Sequence, residues 1–329
     1  MSAVYVGVDG GKSKTVCLLA DATGTILGWG RSGGSDKAAV PVDEAIDAIA
    51  TAVDAALAEA RVTRNDLAVG CFGLAGADWP EDFILLRDIL QERGLARDVV
   101  VRNDAQIALR AASRSGLGLV LSAGTHLSVA LRTESGQEWF SGWSSVDGPG
   151  GSEAGRRVVW AVLHEYDSRG APTALTGALF EATGLGPEEL LRAISRGAVD
   201  EQFTAGLAPL LFQTYAATSD AVAAGIIADL GREIARWVTG LSDRFGLMAS
   251  DLDVFLAGGL FRAPGDLLRE SLAAAVRATV PRARLLPAEH EPVVGALYEA
   301  FEHAGGALTT GVVHRIAASA PPPAFFETA

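Results

Sequence analysis

A short segment near the start of the chain combines glycine, hydroxyl and carboxylate groups in a pattern suited to a phosphate. Residues 9–15 read DGGKSKT and lie between two apolar runs. Paired glycines let the backbone approach an anion and turn successive N–H groups toward it. The predicted phosphate-binding residues are Gly10, Gly11, Lys12, Ser13, Lys14 and Thr15. Asp9 can hold Mg²⁺ through water. A plain Gly-Gly hairpin turn explains the same letters equally well.

The GKS letters of this segment do not make a Walker A motif. That motif requires a glycine at position 6, which is Val6 here. The segment also runs into a predicted strand rather than into a helix.

Two later glycine turns resemble the first in composition. Residues 122–126 read SAGTH and join two predicted strands, with Gly124 and Thr125 as the candidate phosphate contacts. Residues 255–261 read FLAGGLF, and Gly258 and Gly259 can let a nucleoside pass close to the backbone. Each turn can also be an ordinary hairpin or strand end.

One carboxylate lies where a predicted strand meets a predicted helix. Asp104, in RNDAQIAL, is either the N-cap of that helix or an exposed catalytic carboxylate, and the residues alone leave both open. Trp143 lies in the glycine-rich loop SGWSSVDGPGGSEAG, where an indole can face a sugar ring.

Composition excludes several classes of protein. The 329 residues suggest about two domains, and an apolar fraction of 49% argues against disorder. A net charge of −13 disfavours nucleic acid or an anionic membrane as a general partner. Two cysteines, Cys17 and Cys71, exclude a disulfide framework. The histidines lack metal-ligand spacing, and no G-x-S-x-G elbow is present. No signal peptide or membrane span is predicted, so a cytoplasmic location is expected.

The elements that carry these motifs follow an α/β order that occurs twice. Residues 4–30 predict three strands joined by short turns, which favours an antiparallel meander. Helices and strands then alternate to give βββαβαβα. The pattern restarts with strands at 117–124 and 127–132, and residues 172–245 are mostly helical. The predicted divisions are 1–114, 115–290, a helix at 291–304 and a partly irregular tail at 305–329.

In this order the motifs resemble the acetate and sugar kinase, actin and heat-shock chaperone superfamily. They are most similar to its N-acetylglucosamine kinase and BadF/BadG/BcrA/BcrD ATPase branch, from residue 4 to about residue 301. The resemblance implies two ribonuclease-H-like lobes with ATP and Mg²⁺ in the cleft between them. It also implies that helix 291–304 returns to the first lobe, and that the protein forms a homodimer.

The resemblance also assigns roles to individual residues. Asp104 would accept the proton of a sugar hydroxyl that attacks the γ-phosphorus of ATP. The expected product is the phosphate ester of a hexose or amino sugar, with N-acetylglucosamine as the nearest match. The residues expected to contact the sugar are Asp36, Asn103, Asp104, Gly142, Trp143 and Asp147.

Two departures from the family pattern keep other functions open. His126 replaces a glycine of the phosphate turn, and Pro149 and Gly150 occupy the place of an acidic pair, for which Asp147 or Glu153 can substitute. A non-catalytic sugar or nucleotide sensor is one alternative. The other is an activator ATPase with an iron–sulfur cluster, which requires cysteine thiolates near a dimer axis.

Overall fold

A computed structural model of the protein describes residues 3–141 and 148–326. The chain divides into two compact units. The first comprises Met1–Val120, Val129–Trp143 and Pro287–Ala329, and the second comprises Leu121–Ser128 and Ser144–Leu286. The first unit thus extends to Val120 and includes the hairpin after Val129, and the predicted division at residue 114 stays a prediction.

The described residues form ten strands in two five-stranded sheets. The strands are β1 (Val4–Gly10), β2 (Thr15–Asp21), β3 (Ile26–Ser32), β4 (Leu67–Leu74), β5 (Asp98–Asn103), β6 (Gly118–Ala123), β7 (Leu127–Arg132), β8 (Glu138–Phe140), β9 (Leu252–Ala257) and β10 (Ala283–Pro287). One sheet has the order β3-β2-β1-β4-β5 and the other β8-β7-β6-β9-β10. The two orders match strand for strand, which confirms the predicted duplication.

Helices fill the connections between these strands. The α-helices are α1 (Val42–Ala60), α2 (Pro80–Glu92), α3 (Asp104–Ala112), α4 (Gly151–Tyr166), α5 (Ala174–Thr183), α6 (Pro187–Ser195), α7 (Glu201–Gly206), α8 (Ala208–Thr218), α9 (Ala221–Arg244), α10 (Leu267–Thr279), α11 (Pro292–His303) and α12 (Thr310–Ser319). Short 3₁₀ turns lie at Arg64–Asp66, Gly259–Arg262 and Pro323–Phe325.

The first sheet is buried on both faces because its strands alternate apolar side chains between two cores. Strands β1 and β2 pair antiparallel, as do β2 and β3, which confirms the meander. Val6 and Val8 pack with α1 and α2, whereas Leu18 and Val16 pack with α11 and α12. The result is a layer of helices on each side of the sheet, the arrangement typical of α/β proteins.

Helix α11 lies directly against the centre of this sheet. A β-carbon on Gly7 of β1 would come within 2.7 Å of the backbone nitrogen of Leu297. The tail beyond α11 is more regular than the sequence indicates. Helix α12 forms there, and its fully buried Ile316 belongs to the same core.

In the second unit, most of the described chain is helical. Helices α4–α9 cover Gly151–Arg244, in agreement with the helical content predicted for residues 172–245. Helix α4 begins at Gly151, inside the segment predicted as a glycine-rich loop. None of the helices within residues 3–141 and 148–326 is long and apolar enough to span a bilayer.

Candidate active site

Three aspartates of the first unit follow strands whose carboxyl ends lie at one edge of the sheet. Strand β4 pairs in parallel with both β1 and β5. Asp9 is near the end of β1, Asp78 follows β4, and Asp104 follows β5. Ligands of open α/β sheets bind at this edge, so the topology places the chemistry-bearing residues where a ligand is expected.

The first glycine turn is rigid and is braced by the loop that follows β3. The Gly11 N–H donates to the Lys14 carbonyl at 2.9 Å, which closes the turn. The hydroxyl of Thr15 donates to the Gly33 carbonyl at 2.8 Å and forms a second hydrogen bond with the Ser35 hydroxyl, also at 2.8 Å.

Three of the predicted phosphate contacts have hydrogen-bond partners within the protein. Because the Gly11 N–H and the Thr15 hydroxyl already have partners within the chain, both serve to shape the turn. The Lys14 ammonium donates to the carbonyl of Phe326 near the C-terminus. Of the predicted residues in this turn, Ser13 is exposed and Lys12 is half-buried.

Asp9 is a half-buried carboxylate in an acidic environment. Burial is the main cause that raises its pKa from 3.8 to about 7. The charges of Asp104 and Glu291 raise the pKa further, and the Lys14 ammonium opposes them. A cation beside Asp9 would stabilise its charged form, which is the property expected of a residue near Mg²⁺.

Asp104 is the first residue of α3 rather than its cap. Asn103 holds the cap position, where its side chain accepts from the Ala105 N–H at 3.0 Å and its own N–H donates to Gln106 at 2.9 Å. The capping box excludes the N-cap role for Asp104, and its catalytic role stays a prediction. Asp104 is half-buried at the positive end of the helix dipole.

Asn103 holds neighbouring segments of the first unit in place. It is fully buried, and its side-chain N–H groups donate to the Ala77 carbonyl at 3.2 Å and to Asp78 Oδ1 at 3.0 Å. Both amide hydrogens are therefore used within the protein, and a sugar contact by Asn103 stays a prediction.

Asp78 is the site residue that the sequence reasoning missed. Burial raises its pKa to about 7, and the charges of Asp104 and then Asp36 add to that effect. The nearest cation, Lys37, opposes them, but its ammonium lies 2.7 Å from Asp82 and forms an ion pair with it. The signal in the sequence was an aspartate just after a buried strand, in the segment AGADWP.

Asp36 approaches the same edge from the loop after β3. Its Oδ1 accepts from the Ala38 N–H at 2.8 Å. A β-carbon on Gly76 would lie 2.6 Å from that oxygen, and Gly76 has φ of +77°. Glycine at position 76 therefore permits both the backbone conformation and the close approach of Asp36. The structure brings Asp36, Asp78 and Asp104 into one acidic group.

In the second unit, the turn after β6 is bound to the start of α4. The N–H groups of Gly151 and Ser152 donate to the carbonyls of Gly124 and Thr125, each at 2.9 Å. A β-carbon on Gly150 would collide with the backbone of His126, so the glycine that replaces the acidic pair is required by packing. The imidazole of His126 contacts Glu201 at the start of α7.

The glycine pair after β9 contacts the same strand end. Gly258 has φ of +94°, and a β-carbon there would collide with the backbone of Ala123. Gly259 is exposed and begins a 3₁₀ turn. Position 258 therefore requires glycine because the backbone of Ala123 lies against it. Position 259 has open space beside it.

The predicted sugar loop is covered only in part. Gly142, Trp143 and Asp147 lie outside the described residues. Glu153, the other candidate to replace the acidic pair, is in α4, where its Oε1 accepts from Arg157 Nε at 2.7 Å. Glu153 therefore stabilises its own helix through this ion pair.

The residues of the first unit can accommodate Mg²⁺ only together with a ligand that supplies oxygen atoms. Within residues 3–141 and 148–326, no group of three or more His, Cys, Asp or Glu side chains is arranged to hold a metal. Mg²⁺ keeps several waters and commonly binds one or two carboxylates plus substrate phosphates. The carboxylate of Asp9 is half-buried and lies near other carboxylates, so it fits this mode of Mg²⁺ binding.

The sequence profile of the BadF/BadG/BcrA/BcrD ATPase family matches residues 6–300. The chain belongs to this family. Two characterised relatives are similar over nearly their whole length. An N-acetylmuramic acid/N-acetylglucosamine kinase of Clostridium acetobutylicum is 24% identical over 296 residues, which are 89% of this chain and 96% of the relative. An N-acetyl-D-glucosamine kinase of Dictyostelium discoideum is 26% identical over 308 residues, with the same coverage of 89% and 96%.

Solved structures show the same fold. A candidate N-acetylglucosamine kinase from Chromobacterium violaceum superimposes with a TM-score of 0.74 at 22% identity, covering 90% of this chain and 98% of that one. A ROK family glucokinase from Streptomyces griseus, in complex with glucose and AMPPNP, gives a TM-score of 0.61 at 20% identity, with 92% and 100% coverage. The fold prediction of a duplicated α/β protein of the sugar-kinase type is confirmed.

Proposed function

We propose that the protein is an ATP-dependent kinase that transfers the γ-phosphoryl group to a hydroxyl of a hexose or amino sugar. One observation carries the proposal: Asp104 lies at the carboxyl edge of a parallel β1-β4-β5 array, in a chain similar along its length to kinases of N-acetylated sugars. The half-buried carboxylate at a helix start is suited to accept a proton from a bound alcohol.

The reaction needs few groups from the protein. The sugar hydroxyl oxygen forms a bond to the γ-phosphorus, its proton passes to the Asp104 carboxylate, and the bond from the γ-phosphorus to the bridging oxygen breaks to release ADP. Positioning and charge stabilisation provide most of the acceleration in phosphoryl transfer, so base assistance by Asp104 is a smaller part. Asn103 fixes the backbone from which Asp104 projects, because it caps α3.

The nucleotide and metal assignments rest on the glycine turns. We assign the phosphates of ATP to Gly10, Lys12 and Ser13 of the first glycine turn, and Gly124 and Thr125 stay predicted phosphate contacts. Gly259 is the candidate contact for the nucleoside. Mg²⁺ neutralises charge that develops on the phosphate oxygens when it is bound, and Asp9 would hold it through water.

The test compares the wild-type protein with Asp104→Asn in an ADP-release assay with a panel of sugars. The substitution removes the proton acceptor and keeps a side chain of similar size at the helix start. We expect kcat to fall about 10²- to 10⁴-fold while the KM for ATP stays near its wild-type value. Asp88→Asn is the matched control, since Asp88 is an exposed aspartate of α2 paired with Arg87.

Full kcat in Asp104→Asn would show that Asp104 is not the base. A wild-type protein that binds ATP and sugar without turnover would instead support the sensor alternative.

An activator ATPase with an iron–sulfur cluster is disfavoured by the cysteines. The chain has two, and both are fully buried within strands β2 and β4. Burial raises the pKa of both thiols, which keeps them protonated. Neither is at a surface where a second subunit could share a cluster. The homodimer implied by the resemblance remains a prediction, which light scattering coupled to size exclusion tests.

A further inference from the structure

We propose that a cavity in the first unit binds a small oxyanion that also carries hydroxyl groups. The cavity has a volume of about 260 Å³, and none of the candidate active-site residues lines it. Pockets for drug-sized ligands commonly measure about 300–1,000 Å³, so this volume suits a smaller metabolite. The proposal goes beyond the proposed function and does not depend on it.

Parts of the chain that are distant in sequence form the walls of this cavity. The polar lining comes from strand β5, helices α3 and α11, and the hairpin of β7 and β8. It includes Arg102, Gln106, Arg110, Arg132, Glu138 and Glu299. Leu109 and Trp139 add an aliphatic and an aromatic wall. All of these residues belong to the first compact unit.

Arg110 is the most buried of the charged residues that line the cavity, with a side chain 6% exposed. It donates to the two carboxylate oxygens of Glu302 at 2.8 and 3.3 Å. It also donates to the carbonyls of Ser113 and Arg114 at 3.0 and 3.1 Å. These bonds join the end of α3 to α11, so this wall is fixed before any ligand binds. A preformed wall lowers the entropic cost of binding.

Arg102 and Arg132 provide hydrogen-bond donors that the protein itself does not use. Arg102 Nε donates to Glu299 Oε2 at 3.0 Å, and Arg132 Nε lies 3.0 Å from Glu138 Oε1. Among the residues that the structure describes, the terminal nitrogens of both guanidinium groups donate no hydrogen bond. A guanidinium presents its N–H groups as a planar fork that matches a carboxylate or a phosphate. Two such groups in one cavity favour an oxyanion.

Gln106 adds a neutral donor to this set. Its Oε1 accepts from the Asn103 N–H at 2.9 Å, which fixes the orientation of the side chain. Its Nε2 donates to no group in the described part of the chain. The amide can therefore serve a ligand without giving up its role in the helix cap.

Two carboxylate oxygens in the cavity indicate what else the ligand carries. Glu299 Oε1 lies 4.0 Å from Arg110 Nε, which is too far for a hydrogen bond. Glu138 Oε2 accepts no hydrogen bond from the residues that the structure covers. Such oxygens repel a second anionic group and accept from hydroxyl groups. The cavity thus suits one anionic group on a hydroxylated body, as in a polyol phosphate or a hydroxy acid.

Calorimetry with glycerol 3-phosphate, glycerate and glycerol tests this ligand class, because the three probes share a three-carbon hydroxylated body. We expect at least one of the two anions to bind, and glycerol to bind far more weakly. Tighter binding of glycerol 3-phosphate would support the proposal and identify a phosphate ester as the preferred oxyanion. Tighter binding of glycerate would support it and identify a carboxylate.

Substitution of the two arginines tests the location of the site. Arg102→Gln and Arg132→Gln should each weaken binding of the anion about tenfold or more, because a charge-assisted hydrogen bond is lost. The Arg132 side chain is 45% exposed, so Arg132→Gln should fold normally, which circular dichroism checks. Arg87→Gln is the control for the change in charge, since Arg87 is an exposed residue of α2 paired with Asp88 outside the cavity.

A second control separates this cavity from the first glycine turn, where an anion is also expected. Lys12→Gln should leave the binding of the anion unchanged. An anion whose binding weakens in Lys12→Gln and is unaffected in Arg102→Gln and Arg132→Gln would overturn the proposal. It would also be overturned if neither anion binds at millimolar concentration, or if glycerol binds as tightly as the anions do.

Discussion

The Asp78→Asn substitution should make the folding stability of the protein less sensitive to rising pH. The pKa of Asp78 is raised to about 7 in the folded protein, first by burial and then by Asp104 and Asp36. Its ordinary value is 3.8, so the folded state binds the proton more tightly than the unfolded state. The stability that this group contributes is therefore complete below about pH 4 and is lost as the pH rises through 7. Asparagine has no proton to lose.

The magnitude follows from the size of the pKa shift. Between pH 5 and pH 8, a group with these two pKa values loses at most about 2.6 kcal/mol of unfolding free energy. Asp78 is partly exposed, and solvent screening reduces the figure to about 1–2 kcal/mol. The predicted quantity is the free energy of unfolding of Asp78→Asn minus that of the wild type. We expect this difference to be more positive at pH 8 than at pH 5.

Urea unfolding of both proteins at pH 5 and pH 8, followed by far-UV circular dichroism without nucleotide, measures this difference. Asp88→Asn serves as the control and should show no such change, because Asp88 is exposed and paired with Arg87. An Asp78→Asn difference that is the same at both pH values would refute the electrostatic reasoning, since it would mean that residue 78 is ionised to the same extent in folded and unfolded protein.

Three further predictions follow from packing and from the glycine turns. Gly76→Ala should lower the free energy of unfolding by about 1–2 kcal/mol and weaken sugar binding, because residue 76 has φ of +77° and faces Asp36. Thermal unfolding measures the first effect and sugar titration the second. His126→Ala and Glu201→Ala should each raise the KM for ATP a few-fold, and the double variant should be no worse than either, since the two side chains contact each other. Ile316→Ala should cost about 2–5 kcal/mol because Ile316 is fully buried; unchanged stability would show that α12 is not part of the first unit's core.

The strand and helix order was predictable because the signals are local. Short turns between residues 9 and 25 require a meander, and the recurrence of apolar residues from Val42 to Leu57 predicts a helix that the structure confirms as α1. The short edge strands β8 and β10 and the helix α12 were not predicted. Their apolar residues are few, and they depend on tertiary contacts rather than on periodicity.

The site was partly predictable for a different reason. Asp9 and Asp104 lie at the ends of recognisable strands. If those strands are parallel, both residues must lie at the same edge of the sheet. Asp78 lies among turn residues with no periodic signal, and its role depends on Asn103 and Asp36, which are distant in sequence. The capping role of Asn103 was not predicted although the pair of Asn103 and Gln106 is visible in the sequence, because the adjacent Asp104 drew the functional interpretation.

The fate of the γ-phosphoryl group tests the central claim most directly. ATP labelled with ¹⁸O in its γ-phosphate is incubated with Mg²⁺, the wild-type protein and glucosamine or N-acetylglucosamine. The masses of the products are then measured by mass spectrometry. The account predicts a labelled sugar phosphate and ADP in equal amounts, with the product reduced at least about a hundredfold in Asp104→Asn. Labelled inorganic phosphate with the sugar unchanged would contradict it and would identify an ATPase instead.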